Sequence, residues 1–205
     1  MQEPHSRTTN LLTDLFHNLA GKWTLERKLQ SADPSEPSGN CKGEATFTIT
    51  QPSPVLAEDG SLQLADAELL YHEQGEFEMT ASTQSQGNIL KFAFSRKYIW
   101  RLQKAQDVNT ISVWFTKPGT NVIDYLFHKI DIPVRSEEDD KASFQEIVLD
   151  GSGGHLCVED FYSSSYSFHL NTPSKGSDVL SWFTTTHEVR GPKKDQLIET
   201  TFSRP

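Results

Sequence analysis

Cysteine is nearly missing from this chain: 205 residues hold two, Cys41 and Cys157. That is too few for a disulfide-scaffolded secreted domain, and a reducing cytoplasm fits better. No Cys-x-x-Cys occurs, so a metal site would need His and carboxylate ligands from scattered positions, and none is expected. No Asn-x-Ser/Thr acceptor is present. No window approaches the roughly 18 apolar residues of a membrane-spanning helix, and the N-terminus lacks a basic stretch followed by a long apolar core. Positive charge is short as well: 19 Lys and Arg stand against 28 Asp and Glu, a net charge of −9. Such a chain repels phosphate backbones and anionic lipids, so neither nucleic acid nor a membrane surface is an expected partner.

Aromatic residues are plentiful, with 12 Phe, 5 Tyr and 4 Trp. They supply the large buried areas that disordered chains lack. The length suits one domain over residues 1–205, with a core from about 15 to 204.

Strand-period alternation dominates from residue 22 onward. Trp23, Leu25 and Leu29 alternate with Lys22, Thr24, Glu26, Lys28 and Gln30. Ala45, Phe47 and Ile49 do the same against Glu44, Thr46, Thr48 and Thr50, and Phe77 and Met79 against Glu76, Glu78 and Thr80. Leu90, Phe92 and Phe94 lead through Arg96 to Tyr98, Trp100 and Leu102. Further strands are expected near 67–73, 110–116, 122–132, 144–149, 155–161, 162–170, 179–190 and 196–203. Turn signals separate them, among them Gln86-Gly87-Asn88, Pro118-Gly119, Gly151–Gly154 and Pro173–Gly176. The acidic run Glu137–Asp140 reads as a solvated loop.

One helix is expected, over Thr9–Leu19, where Leu11, Leu12, Leu15, Phe16 and Leu19 recur at three- and four-residue spacing. Without helical crossovers a parallel sheet is not expected, which leaves a closed antiparallel barrel and a two-sheet sandwich, the barrel being preferred. The pattern predicts an all-β fold, a closed antiparallel barrel of about ten strands with a short N-terminal capping helix.

Several segments carry a family resemblance: Leu19-Ala20-Gly21-Lys22-Trp23 after the helix, Gly43–Phe47, Tyr71–Gly75, Phe94–Arg101, Phe127-His128, His155–Tyr162, and Val189–Lys194 with Arg204 at the end. In this order they resemble an uncharacterised lipocalin-like family, the domain of unknown function numbered 6314. The resemblance implies a calycin-type barrel and no particular reaction. Residues 52–66 and 133–143 look like longer loops than that family usually carries.

Polar residues on an otherwise apolar parity are the informative ones in a barrel, because alternate side chains point inward. Arg27 continues the Trp23/Leu25/Leu29 face, Arg96 interrupts the Phe92/Phe94/Tyr98/Trp100 face, and Glu73 shares parity with Tyr71. His128 falls in a row with Val122, Asp124, Leu126, Ile130 and Ile132. An inward arginine can pair with Glu73 or Asp124 and stay buried by that pairing. Alternatively Arg27, Tyr71, Glu73, Phe92, Arg96, Trp100 and His128 line a ligand cavity.

His155–Tyr162 is the densest cluster, holding imidazole, thiol, carboxylates and phenol. On a regular strand His155 faces away from Asp160 and Tyr162, and a bulge is needed to join them. So joined, Asp160 and His155 could move a proton while Tyr162 donates to a developing oxyanion. Gly-x-Ser-x-Gly is absent, which disfavours acyl-enzyme chemistry. No Cys-x-x-Cys-His marks a haem site, so a haem-binding barrel is the weakest option and no cofactor is expected.

These residues favour a cofactor-independent isomerase or cyclase working by general acid/base chemistry on a small apolar or polycyclic molecule. The alternative is a non-catalytic carrier of such a ligand. Charges are costly to desolvate for a pure carrier, which tips the choice towards the enzyme.

Overall fold

A computed structural model describes residues 4–56, 60–80, 90–104, 109–133, 146–171 and 179–205. Helix α1 (Pro4–Asn18) precedes β1 (Gly21–Ser31), β2 (Gly39–Thr50), the short pair β3 (Val55–Leu56) and β4 (Leu62–Gln63), and then β5 (Ala67–Met79). The chain continues through β6 (Lys91–Gln103), β7 (Thr110–Thr116), β8 (Ile123–Ile130), β9 (Glu146–Cys157), β10 (Asp160–Asn171), β11 (Val179–Arg190) and β12 (Asp195–Ser203). All but β3 and β4 join one antiparallel sheet in the order β8-β7-β6-β5-β2-β1-β12-β11-β10-β9. The order is an up-and-down meander wrapped so that first and last strands pair, as a barrel requires. The remaining seam, β8 against β9, is held by the Asp131–Ser152 bridge, whose two backbone bonds measure 2.7 and 2.9 Å. The expected barrel of about ten strands with an N-terminal helix is thus observed, as a ten-stranded and nearly closed sheet.

The helix plugs one end. Leu12, Leu15, Phe16 and Leu19, one stripe at helical spacing, are all buried. Past its C-terminus the orphan carbonyls find fixed donors. Trp23 Nε1 donates to the Leu19 carbonyl at 2.8 Å, and the Arg204 guanidinium bonds the carbonyls of Asn18 and Ala20 while lying 3.8 Å over the Trp23 ring. A cation at a helix C-terminus also meets the negative end of the dipole. Beneath, Trp23, Phe47, Trp100, Phe168, Phe183 and Phe202 form an aromatic floor joined by edge and stacked contacts between 4.3 and 6.3 Å.

Three sequence expectations are corrected. The 67–73 and 76–81 segments are not two strands: Ala67–Met79 is one continuous strand, and residues 81–89 lie outside the description. Gly151–Gly154 is no turn but the middle of β9, paired with β10 throughout. Its glycines allow close approach to β8, since a Cβ on Gly153 would sit 2.4 Å from His128 Cδ2 and 2.7 Å from the Lys129 carbonyl oxygen. The reversal comes instead at Val158-Glu159, a two-residue hairpin turn with Val158 at φ 59°. Asp124 and Leu126 do not share the inward face of His128. A β-bulge at Phe127 shifts the register between the Val113–His128 and Trp114–Leu126 pairs, turning both Phe127 and His128 inward. The acidic run Glu137–Asp140 lies outside the described residues.

Among the described residues no helix is long and apolar enough to cross a membrane.

Candidate functional site

Above the aromatic floor the inward-facing residues turn polar, and the barrel holds a cavity of about 120 Å³. Its walls are mostly rings, including Phe47, Tyr98, Trp100, Phe127, Tyr162, Tyr166 and Phe183. Arg27, Tyr71, Glu73, Arg96, Thr185 and His187 supply the polar lining.

Arg27 from β1 and Glu73 from β5 form a two-pronged ion pair, Nη1 to Oε1 at 2.9 Å and Nη2 to Oε2 at 2.7 Å. Arg27 Nε donates to Thr200 Oγ1 at 2.9 Å, and the Tyr71 hydroxyl donates to Glu73 Oε2 in a very short bond. Every polar atom of the pair therefore has a partner, which is what a buried ion pair needs to persist. Burial alone would raise the Glu73 pKa, but the hydrogen bonds and charge of Arg27, with the Tyr71 hydroxyl, outweigh it and hold the carboxyl below its ordinary range. Burial pulls the Arg27 value down, and the bond and charge of Glu73 more than reverse it. Tyr71 is pushed well up by burial and by the Glu73 charge, so it stays a phenol.

Two imidazoles stand across the barrel. His187 Nδ1 lies 2.8 Å from Ser164 Oγ. Burial, then the Arg27 charge, lowers its pKa to about 4. His128 Nε2 is 2.6 Å from the Tyr166 hydroxyl, and its buried Nδ1 has no hydrogen-bond partner. Burial, with His187 and His155 nearby, lowers its pKa to about 3. Both rings are neutral at physiological pH.

The sequence-derived residues are placed as follows. Arg27, Tyr71, Glu73, Arg96, Trp100 and Tyr162 line the cavity. His128 backs the wall through Tyr166. Phe92 has the expected parity, opposite Phe77, but sits above the rim and is 49% exposed. The Val158-Glu159 turn brings His155 and Tyr162 directly opposite each other, with ring centroids 6.2 Å apart. His155 also contacts Phe127 at 5.4 Å and stacks with Tyr125 at 6.3 Å, closing the upper seam where β8 and β9 diverge. Asp160, which begins β10, accepts a bond from the Lys193 amide at 3.2 Å and lies against Gly191 in the β11–β12 turn.

His187, Tyr98, Phe127 and Tyr166 join the site without having been singled out. His187 shares parity with Phe183 and Val189, but the Thr184-Thr185-Thr186 run and the outward Trp182 blur the alternation. Among the described residues no group of three or more His, Cys, Asp or Glu side chains is arranged to hold a metal ion.

A ten-stranded meander barrel with one plugged end and a mixed aromatic and charged cavity is a lipocalin-like architecture. The chain belongs to the family of unknown function DUF6314, whose family model matches residues 19–204. No curated protein and no solved structure matches it significantly.

Proposed function

We propose that this barrel binds a small organic molecule in the cavity above the aromatic floor. The observation that carries the reading is the Arg27–Glu73–Tyr71 cluster, a desolvated polar group facing a ring-walled void. Such a cluster is a poor way to close a barrel, since apolar residues of equal volume do that at no desolvation cost; with its own atoms paired it sets a fixed polar wall beside the void, as ligand pockets do. Void size supports a single-ring body, because an apolar cavity of ~150 Å³ accommodates benzene. The test is thermal-shift and calorimetric titration of the full chain with single-ring aromatic compounds, alongside a Thr185→Phe variant that fills the void. Binding to the parent and its loss in the filled variant are expected. No binding to the parent by any such compound overturns the reading.

A second reading is favoured by the pairing of His155 with Tyr162 at the cavity mouth: a cofactor-independent isomerase or cyclase. In it His155 moves the proton, Tyr162 donates to a developing oxyanion, and Asp160 is the carboxylate of the same hairpin. His187, neutral at physiological pH, is a further proton acceptor inside the cavity. Turnover of a bound compound should fall roughly 10²–10⁴-fold in His155→Gln or Asp160→Asn with affinity retained. Full activity in folded Asp160→Asn removes Asp160 from the mechanism.

A further inference from the structure

The charges around the cavity do not balance. Both oxygens of Glu73 are occupied by Arg27, and one of them also by Tyr71. All the donor arms of Arg27 that face the cavity cluster are likewise engaged, by Glu73 and Thr200. His187 and His128 carry no charge near neutrality. Arg96 remains. It lines the same cavity and is the cross-strand neighbour of Glu73, yet its guanidinium has neither a hydrogen bond nor an ion pair among the described residues. The cavity lining therefore carries two arginines against one carboxylate, a net positive charge in a chain whose net charge is −9.

Resting on the ligand-binding reading above, we propose that the ligand is a single-ring aromatic monocarboxylate. Its carboxylate docks on Arg96 at the mouth, and its ring lies among the aromatic walls below. The planar guanidinium fork matches a carboxylate with two parallel donors. On the same inward face, two residues further along β6, Tyr98 stacks on Phe127 at 6.2 Å, and both line the cavity, giving a flat aromatic wall against which a ring can lie. A polyanion is disfavoured twice over: one arginine cannot neutralise it, and the surrounding acidic chain repels it.

The test is calorimetric and NMR titration of the full chain with benzoate, its neutral isostere benzamide, and phenyl phosphate at neutral pH. Benzoate should bind at least tenfold more tightly than benzamide, the scale of a charge-assisted bond. In Arg96→Gln that preference should vanish with benzamide affinity unchanged, and Arg96→Lys should restore part of it. Arg96 is exposed and unbonded, so these variants keep the fold. Equal binding of benzoate and benzamide refutes the carboxylate assignment and leaves the cavity reading standing. A preference that survives Arg96→Gln refutes the role of Arg96, and tighter binding of phenyl phosphate refutes the monoanion. If none of the three binds, the cavity reading falls and the proposal falls with it.

Discussion

Glu73→Gln is the substitution that best isolates what the buried ion pair does. Glutamine keeps the shape of glutamate and leaves one oxygen to accept from Arg27, but it removes the charge and turns an amide donor towards a guanidinium donor. Glu73 has 2% of its side chain exposed and Arg27 16%, so the stranded guanidinium is mostly but not wholly out of water. Breaking a fully buried pair costs about 3–5 kcal/mol, and partial access to solvent at Arg27 places this case near the lower end, about 3 kcal/mol. At about 2–4 °C per kcal/mol for a chain of this size, the melting temperature should drop by roughly 6–12 °C. Urea unfolding followed by tryptophan fluorescence should show a lower midpoint with an unchanged slope. The companion Arg27→Met/Glu73→Leu should recover to within about 1 kcal/mol of the parent, because the desolvation of both ions is relieved together. A loss below about 1 kcal/mol in Glu73→Gln, or a double variant as unstable as the sum of its singles, would refute the reasoning.

Truncating the plug should be costly. Trp23→Ala removes a buried ring that bonds Leu19, meets Phe183 at 5.0 Å and carries Arg204, and calorimetry should show a loss of about 3–5 kcal/mol. Acid should destabilise the barrel before its carboxylates titrate. An unfolded imidazole takes a proton near pH 6.5, whereas folded His187 refuses it until about 4, so the stability is fully present above about pH 6.5 and falls as the pH drops towards 4. The loss from His187 alone is roughly 3 kcal/mol. It should show as a slope in urea stability between pH 6.5 and 4 that is shallower in His187→Gln, and an identical slope in that variant counts against the buried neutral imidazole.

The helix and the barrel were legible because each depends on a period. The Leu12/Leu15/Phe16/Leu19 stripe has only one amphipathic solution, and the alternations at Trp23–Leu29 and Ala45–Ile49 have another. What the period cannot carry is its own interruption. The bulge at Phe127 leaves no turn residue behind, so the alternation groups Asp124 with His128 although it faces out. The Gly151–Gly154 run carries the same composition as a turn, and only the nearness of His128 and the Lys129 carbonyl reveals it as a strand in a tight seam. Arg27, Glu73 and Arg96 are visible as polar residues on apolar faces, but which of them pair depends on barrel tilt. Tilt brings Arg27 to Glu73, although its neighbour in the ladder is Cys41.

Stability and binding are divided along the barrel axis. At the plugged end Trp23, Phe47, Phe168, Phe183 and Phe202 are closely packed rings with no unmatched charge, and alteration there lowers stability by cavity formation. In the upper half an ion pair, the neutral His187 imidazole and an unpartnered arginine face a void, with His128 behind the wall, and the β8–β9 seam above the Asp131–Ser152 bridge relies on side-chain contacts of Tyr125, Phe127 and His155. Ring contacts of about 0.5–1.5 kcal/mol each replace a ladder of backbone bonds there, so that half is the softer one. A barrel selected for stability alone would fill this region with leucine and valine. Keeping buried charge beside a void costs stability that the aromatic floor offsets, the pattern expected where a site and not the fold dictates the residues. On this argument Arg27→Met/Glu73→Leu is informative twice: it should keep the melting temperature close to that of the parent while weakening binding of the ring compounds, and a variant that kept both would show that the polar cluster does not serve binding.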